Sequence, residues 1–252
     1  MRQGLARHGI EASFVPRGTL SDCDVAVIWG FKPPEFVHEM QRRGTRLLVM
    51  ERGYFPDRMV WSSLGWDGLN NRARFPECPD RGERFAQHWP KLLQPWKDGG
   101  RHILLIGQVP GDAALYGLNL DAWAQDTTRQ IQQVFGTAPI LFRPHPLVLR
   151  TQRVRCPVGA ELSTGTLQED FAGAKCTVTF NSNTGVESVC YGIPTVTLDI
   201  GAMAWPVTSH ALDDEIITPD RAEWTHKLAW CQWRIEEIAD GTAWDTLKNI
   251  PA

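Results

Sequence analysis

The chain has 252 residues, 42% of them hydrophobic, and a formal net charge of −3. That apolar content excludes a disordered chain and suffices for one large core or two ordinary ones. The near-neutral charge excludes a global pull toward nucleic acid or anionic membrane, although the excess of Arg over Lys leaves room for a local grip on phosphate or carboxylate.

Met1 to His8 reads as an amphipathic helix ending at Gly9, and Ala12 to Val15 as a short strand. Asp24 to Trp29 is a continuous apolar run, as expected of a buried parallel strand. Pro34 to Arg43 suits a helix and Arg46 to Met50 another apolar strand. This alternation predicts a doubly wound α/β half. Such halves normally open on a strand, so a chain that opens on a helix suggests that a first strand is missing.

Tyr54 to Gly100 is rich in Trp, Pro and Gly and has no clear period. Loops this long are usually functional or interdomain. Asp98-Gly99-Gly100 marks a composition break, after which the α/β pattern restarts. It runs through a strand His102 to Ile106, a helix Asp121 to Phe135 stopped by Gly136, and a strand Ile140 to Arg143. A helix Thr166 to Ala172 follows, with Thr166 and Glu169 at capping-box spacing. Thr177 to Asp199 then reads as strand, polar loop, short helix, Gly-Pro stop and strand, and Glu223 to Ala239 as a closing helix. The expected organisation is two sheet-based halves, 1–98 and 99–252, with no internal repeat.

The six cysteines are scattered without a Cys-x-x-Cys pair, which argues against a zinc or redox motif; Cys176, Cys190 and Cys231 read as buried hydrophobes. A reducing, cytoplasmic setting is expected, since neither a signal peptide nor a membrane-length apolar run is visible.

Five segments carry candidate chemistry. Ser182-Asn183-Thr184-Gly185 precedes a helix, so its amides and hydroxyls could cradle a phosphate, with Gly185 admitting the ligand to the backbone. A capping box from Thr184 to Glu187 explains the same residues equally well. Glu187 could also accept ribose hydroxyls. Arg143-Pro144-His145-Pro146 ends a strand at the sheet's carboxyl edge, where ligands bind in open α/β sheets. There the prolines fix His145, and His145 and Arg143 could meet a phosphate, or His145 could be an ordinary turn residue. Gln108-Val109-Pro110-Gly111-Asp112 turns at the same edge and aims Gln108 and Asp112 at the ligand. Glu51 closes the strand of the first half, where a carboxylate could serve as base or nucleophile, with Asp57 as a second choice; a surface turn with ion pairing is the plain alternative.

Trp61 and Trp66 either stack on a sugar or base or staple the long loop to the core. Asp22-Cys23-Asp24 and Asp213-Asp214-Glu215 read as solvated acidic turns rather than metal sites.

The order of Gln108 to Asp112, Arg143 to Pro146 and Ser182 to Pro194 resembles GT-B glycosyltransferases of the capsule-polysaccharide, Kdo transferase-like group. Glu51-Arg52-Gly53 is similar to that group's acidic-acidic-Gly motif, with Arg52 at the second acidic position. The resemblance implies two Rossmann-like halves whose parallel sheets face a central cleft. It implies a nucleotide-sugar donor held by the second half through Gln108, Arg143, His145, Ser182, Asn183, Thr184, Gly185 and Glu187. Among Glu51, Asp57 and Asp112, one carboxylate would activate the acceptor hydroxyl. No metal or cofactor is implied beyond the nucleotide-sugar co-substrate. The acceptor is a glycan or, by analogy of overall plan with compact phage enzymes, a hydroxymethylated DNA base. A sugar-nucleotide epimerase or hydrolase, or a non-catalytic nucleotide-binding module, would share the architecture.

Overall fold

The computed structural model describes residues 1–16, 18–31, 34–151, 154–213 and 215–251. The chain divides into two compact units, Met1–His88 with Ala222–Ala252, and Trp89–Arg221.

The first unit begins with α1 (Arg2–Arg7), β1 (Val25–Trp29), α2 (Pro34–Arg42), β2 (Arg46–Arg52), β3 (Trp61–Trp66) and α3 (Glu83–His88). Ala12 to Val15, expected as a strand, takes no regular structure, and Phe14 and Val15 are exposed. A strand needs a neighbour to receive its backbone groups, and none pairs with this segment among the described residues.

The second unit runs β4 (His102–Ile106), α4 (Leu120–Phe135), β5 (Ile140–Arg143), α5 (Pro146–Thr151), β6 (Glu161–Leu162), α6 (Leu167–Gly173), β7 (Ala174–Thr179), α7 (Thr184–Cys190) and β8 (Thr195–Thr197). Its five strands are all parallel, in the order β6-β5-β4-β7-β8. Both faces of β4 are buried. Ile103 and Leu105 pack with Ile131, Phe142 and Val178, while Leu104 and Ile106 pack with Phe171 and Ile193. That is why the strand reads as an unbroken apolar run. Cys176 and Cys190 lie in this interior, where burial pushes each thiol up to about 12, so they act as small hydrophobes.

The C-terminal segment returns to the first unit as α8 (Ala222–Ala229), β9 (Gln232–Arg234), α9 (Ile235–Ala239) and α10 (Thr242–Leu247). The single closing helix expected over Glu223 to Ala239 is therefore broken. Gln232 and Trp233 are fully buried, and β9 pairs antiparallel with β3. Gln232 also accepts from the Tyr54 and Phe55 backbone N–H groups at 2.7 and 3.3 Å. Those pairings outweigh helical continuity at this point. They also move 222–252 out of the half assigned to it from sequence.

The first sheet, β1-β2-β3-β9, is mixed: β1 and β2 run parallel, whereas β3 is antiparallel to both β2 and β9. This corrects the expectation of a wholly parallel first half. It also places Trp61 and Trp66, expected in loop, on a buried strand, so the two indoles staple the core.

Gly192 shows how tightly the second unit is closed. It ends α7 at φ 83°, with Gly192 N–H donating to Val189 O at 3.1 Å and Ile193 N–H to Ser188 O at 3.0 Å. A Cβ there would lie 2.0 Å from Pro95 O. Gly192→Ala is expected to cost about 2–3 kcal/mol, from the left-handed backbone and the clash together. A melting curve should show a fall of about 4–10 °C; an unchanged Tm would mean that the 89–97 segment does not lie against this turn.

Candidate functional site

In the second sheet the chain leaves β4 toward β5 and β6, then returns to β7 and β8 on the other side. The topological switch lies between β4 and β7, and the crevice beyond their carboxyl ends is the usual ligand position in such a sheet. The loops after β4 and β7 bound it, and both were singled out from sequence.

Gln108 and Asn181 bridge these loops. Gln108 Nε2 donates to Asn181 Oδ1 at 2.8 Å, and the Asn181 N–H donates to Gln108 Oε1 at 3.1 Å. Asn181 Nδ2 donates to Ala114 O at 2.7 Å and to Asp199 Oδ2 at 2.8 Å, and the same Asp199 oxygen accepts from the Gly201 N–H at 3.1 Å. One buried carboxamide thus ties together the loops after β4, β7 and β8. The sequence reading missed both Asn181 and Asp199. The signal available was a polar residue directly at each strand end.

The Ser182-Asn183-Thr184 loop is half-buried and organised by its own hydroxyls. Ser182 Oγ donates to Thr184 Oγ1 at 3.3 Å and accepts from the Thr184 N–H at 3.2 Å. The capping box from Thr184 to Glu187 does not form: α7 begins at Thr184 itself, with Asn183 at the N-cap and no side-chain cap bond. Asn183 Nδ2 instead donates to Glu187 Oε1 at 3.4 Å. Gly185 is buried, and a Cβ there would lie 3.3 Å from Thr179 Cγ2 and 3.6 Å from Thr197 Cγ2. Its missing side chain lets α7 pack closely on β7 and β8.

Arg143 and His145 diverge. Arg143 Nη1 donates to Asp170 Oδ2 at 2.6 Å, to Gly165 O at 2.8 Å and to Ser163 Oγ at 3.1 Å. Asp170 is buried, and Ser163 Oγ donates to it as well, at 2.6 Å. The guanidinium therefore clamps α6 to the segment after β6, which accounts for it without a phosphate. His145 is exposed, and its Nδ1 accepts from the Leu147 N–H at 3.1 Å in the first turn of α5. In the neutral ring that bond leaves Nε2 to carry the proton. Asp112 is exposed and accepts from the Ala114 N–H at 2.9 Å, so it caps a 3-10 turn.

Beside the crevice, a pocket of 390 Å³ opens between the carboxyl ends of β4 and β5 and the first turn of α4. Trp123, Phe142, Leu118 and Val148 form its apolar walls. Asn119 caps α4 through the Ala122 N–H at 3.1 Å, and Asp121 pairs with Arg155 at 3.4 Å. None of these wall residues was anticipated from sequence, because the pocket is lined jointly by α4, α5 and the ends of β4 and β5.

Glu51 and Asp57 lie in the first unit. Glu51 is half-buried near the carboxyl end of β2, opposite Ser63 of β3. A Cβ on Gly30 would lie 3.3 Å from Glu51 Oε1, so the carboxylate lies over the turn that ends β1. Burial pushes the Tyr54 phenol far up, with Glu51 adding to the effect, so Tyr54 stays neutral beside it. Asp57 is exposed at φ 63° in a tight turn whose carbonyl accepts from the Val60 N–H at 2.7 Å. Arg52 is exposed.

Of the two acidic turns, Asp22 pairs with Arg43 at 3.7 Å. The other includes Asp214, which lies outside the described residues. Among the described residues, no group of three or more His, Cys, Asp or Glu is placed to hold a metal ion. No helix among them is long and apolar enough to cross a membrane.

No protein-family model matches the sequence, and no curated protein sequence matches it. Solved structures do resemble it. The β-Kdo 2,4-transferase of Thermosulfurimonas dismutans KpsC superposes with a TM-score of 0.57 at 14% identity, over 85% of this chain and 82% of that one. The β-Kdo 2,7-transferase of the same protein gives 0.55 at 13% identity, over 89% and 84%. At such identity the likeness speaks to the fold, and the fold is the GT-B-like α/β plan with a five-stranded parallel sheet.

Proposed function

We propose that the protein is a cytoplasmic glycosyltransferase that moves a sugar from a nucleotide-sugar donor to an acceptor hydroxyl, on a glycan or on a hydroxymethylated DNA base. The observation that carries this reading is the fold likeness to two β-Kdo transferases over most of both chains. The placement of the singled-out loops at the carboxyl edge of the second sheet supports it.

In this reading the second unit holds the donor. The Nε2–H of His145 and the Ser182-Asn183-Thr184 loop face the leaving phosphate, Glu187 accepts from the ribose, and Arg143 and Gln108 hold the loops in place. Donors preset in this way stabilise charge as it develops on the leaving group, without reorganising at the moment of reaction. Glu51 is the candidate base for the acceptor hydroxyl. No metal or cofactor enters the proposal.

A thermal-shift panel of nucleoside mono- and diphosphates tests donor binding. A ligand at a hundred times its Kd stabilises by about 2.7 kcal/mol, a rise of about 5–10 °C for a chain of this size. A flat response to every nucleotide would remove the reading. Product analysis with the intact sugar nucleotide then separates transfer from its rivals, since a hydrolase or epimerase consumes the donor without an acceptor. His145→Ala is expected to weaken the selected nucleotide roughly 10- to 100-fold, as loss of a bond to a charged group does. Unchanged affinity in that variant would exclude His145 from the site.

A further inference from the structure

The strand pairings of the first unit set three polar residues in one row. Glu51 of β2 lies directly opposite Ser63 of β3, and Ser63 lies directly opposite Gln232 of β9. Residues paired in this way share a face of the sheet, with Cβ atoms about 4.5–5.5 Å apart. Ser63 and Gln232 are buried, whereas Glu51 is half-buried, so the row runs from the interior out to the carboxylate. Polar groups withdrawn from water need hydrogen-bond partners, and the row has to supply them.

Tyr54 joins the row from the loop after β2. Its phenol is buried, hydrogen-bonded to Ser63 and within electrostatic reach of Glu51. Gln232 fixes where that ring stands, since its Oε1 accepts from the Tyr54 and Phe55 N–H groups at 2.7 and 3.3 Å. The ring meets Phe75 edge-on, with centroids 6.3 Å apart. Two hydroxyls that share one hydrogen bond use one of their two protons. The other proton needs an acceptor. Gln232 is ill suited, because its Oε1 already accepts twice and its Nε2 is a donor. Glu51 stands on the opposite side of Ser63, with two carboxylate oxygens.

We infer that Ser63 and Tyr54 are positioning residues for Glu51: the Tyr54 hydroxyl donates to Ser63 Oγ, and the Ser63 hydroxyl donates to the carboxylate and sets the edge it presents to an acceptor hydroxyl. A bond donated to the ionised form favours that form, so the pair lowers the pH at which Glu51 becomes a working base. That the carboxylate serves sugar transfer rests on the transferase reading; the hold of the hydroxyls on it does not.

Other titratable groups crowd this corner. The Cys231 thiol is pushed far up by burial and stays neutral. Arg58, whose Nε donates to Gly53 O at 2.6 Å, is a nearby cation that also favours an ionised Glu51. Arg52 and Asp57 are exposed. The Gly30 turn adds no charge of its own, and Lys32 lies outside the described residues. Salt screens a charge acting through solvent far more than it weakens a direct hydrogen bond, so ionic strength separates the two.

Carbon-13 NMR titration of the Glu51 side-chain carboxyl in the full chain, assigned by its loss in Glu51→Gln, tests the inference without donor or acceptor. Ser63→Ala should raise the titration midpoint by about one pH unit, as loss of a hydrogen bond to a charged group does. Ser63→Cys, which keeps the volume but donates weakly, serves the same purpose should Ser63→Ala fail to fold. Tyr54→Phe keeps the ring and should move the midpoint in the same direction by less. Both rises should persist from about 0.1 M to about 0.5 M salt. In steady-state kinetics the acid limb of kcat/KM should move up with the midpoint, which a loss of stability alone does not produce. A midpoint that does not rise on loss of either hydroxyl, or a rise that salt abolishes, would overturn the inference. A midpoint that rises in a protein that turns over no sugar nucleotide would uphold it and remove the transferase reading instead.

Discussion

Arg84→Ala is expected to cost about 3–5 kcal/mol, more than the Gly192 substitution. Arg84 is buried on α3, and its guanidinium spends every face. Nη1 and Nη2 donate to the two oxygens of Glu237 at 2.5 and 2.8 Å, Nε to Ala229 O at 2.9 Å and Nη2 also to Gln232 O at 2.9 Å. The cation stands 4.7 Å from the Trp233 ring centre and 4.8 Å from that of Trp230. One side chain thus fastens α3 to the end of α8, to β9 and to α9. Removing it leaves the part-buried Glu237 carboxylate without its cation and takes the Arg84 donors from the Ala229 and Gln232 carbonyls, and breaking a pair whose cation is buried costs up to this range. Urea denaturation of Arg84→Ala, Arg84→Met, Glu237→Leu and the double variant Arg84→Met with Glu237→Leu separates charge from packing. The double variant should be less destabilised than Arg84→Ala, because no ion is then left stranded. A double variant as unstable as the sum of its singles would show the two residues to be uncoupled.

This clamp also marks the limit of what the sequence allowed. Elements stabilised by near neighbours were readable. β4 and β5 fall on His102–Ile106 and Ile140–Arg143 as expected, since a strand buried on both faces writes a continuous apolar run. The Thr166–Glu169 capping box forms because both its bonds close within three residues, at 3.2 and 2.7 Å. β9 was not readable, because it is a strand only through its pairing with β3, far back along the chain. Nothing local marks Trp230 to Trp233 as a helix break, and nothing local marks Arg84 as a buried ion.

The candidate site divides in the same way. Gln108 follows β4 directly, but its partner Asn181, and Asp199 behind that, come from the tertiary meeting of three loops. Gly185 is expected from sequence to make room for a ligand, and in the structure it also makes room for Thr179 and Thr197. A missing Cβ has the same sequence signature in either role.

Glu51→Gln is expected to lower turnover by about 10²–10⁴ while leaving the Kd for the donor nucleotide and the Tm close to the parent values. The argument starts from position. Glu51 sits near the end of a strand with its carboxylate over the Gly30 turn, half-open to solvent and beside a buried phenol that stays neutral. A carboxylate so placed can take a proton from an incoming hydroxyl. Gln keeps the shape and the hydrogen-bonding edge but removes the basic lone pairs. The two other carboxylates considered have backbone roles that Asn can reproduce. Asp57 occupies a left-handed turn, which Asn tolerates, and Asp112 caps a short turn, which Asn also caps. Asp57→Asn and Asp112→Asn should therefore keep turnover within a few-fold of the parent. Steady-state kinetics on the three variants, with the donor found by the nucleotide panel, distinguishes them. Full turnover in Glu51→Gln with loss in either of the others would move the base. Full turnover in all three would leave no carboxylate from this set in the chemistry, and the first unit's strand end would be structural only.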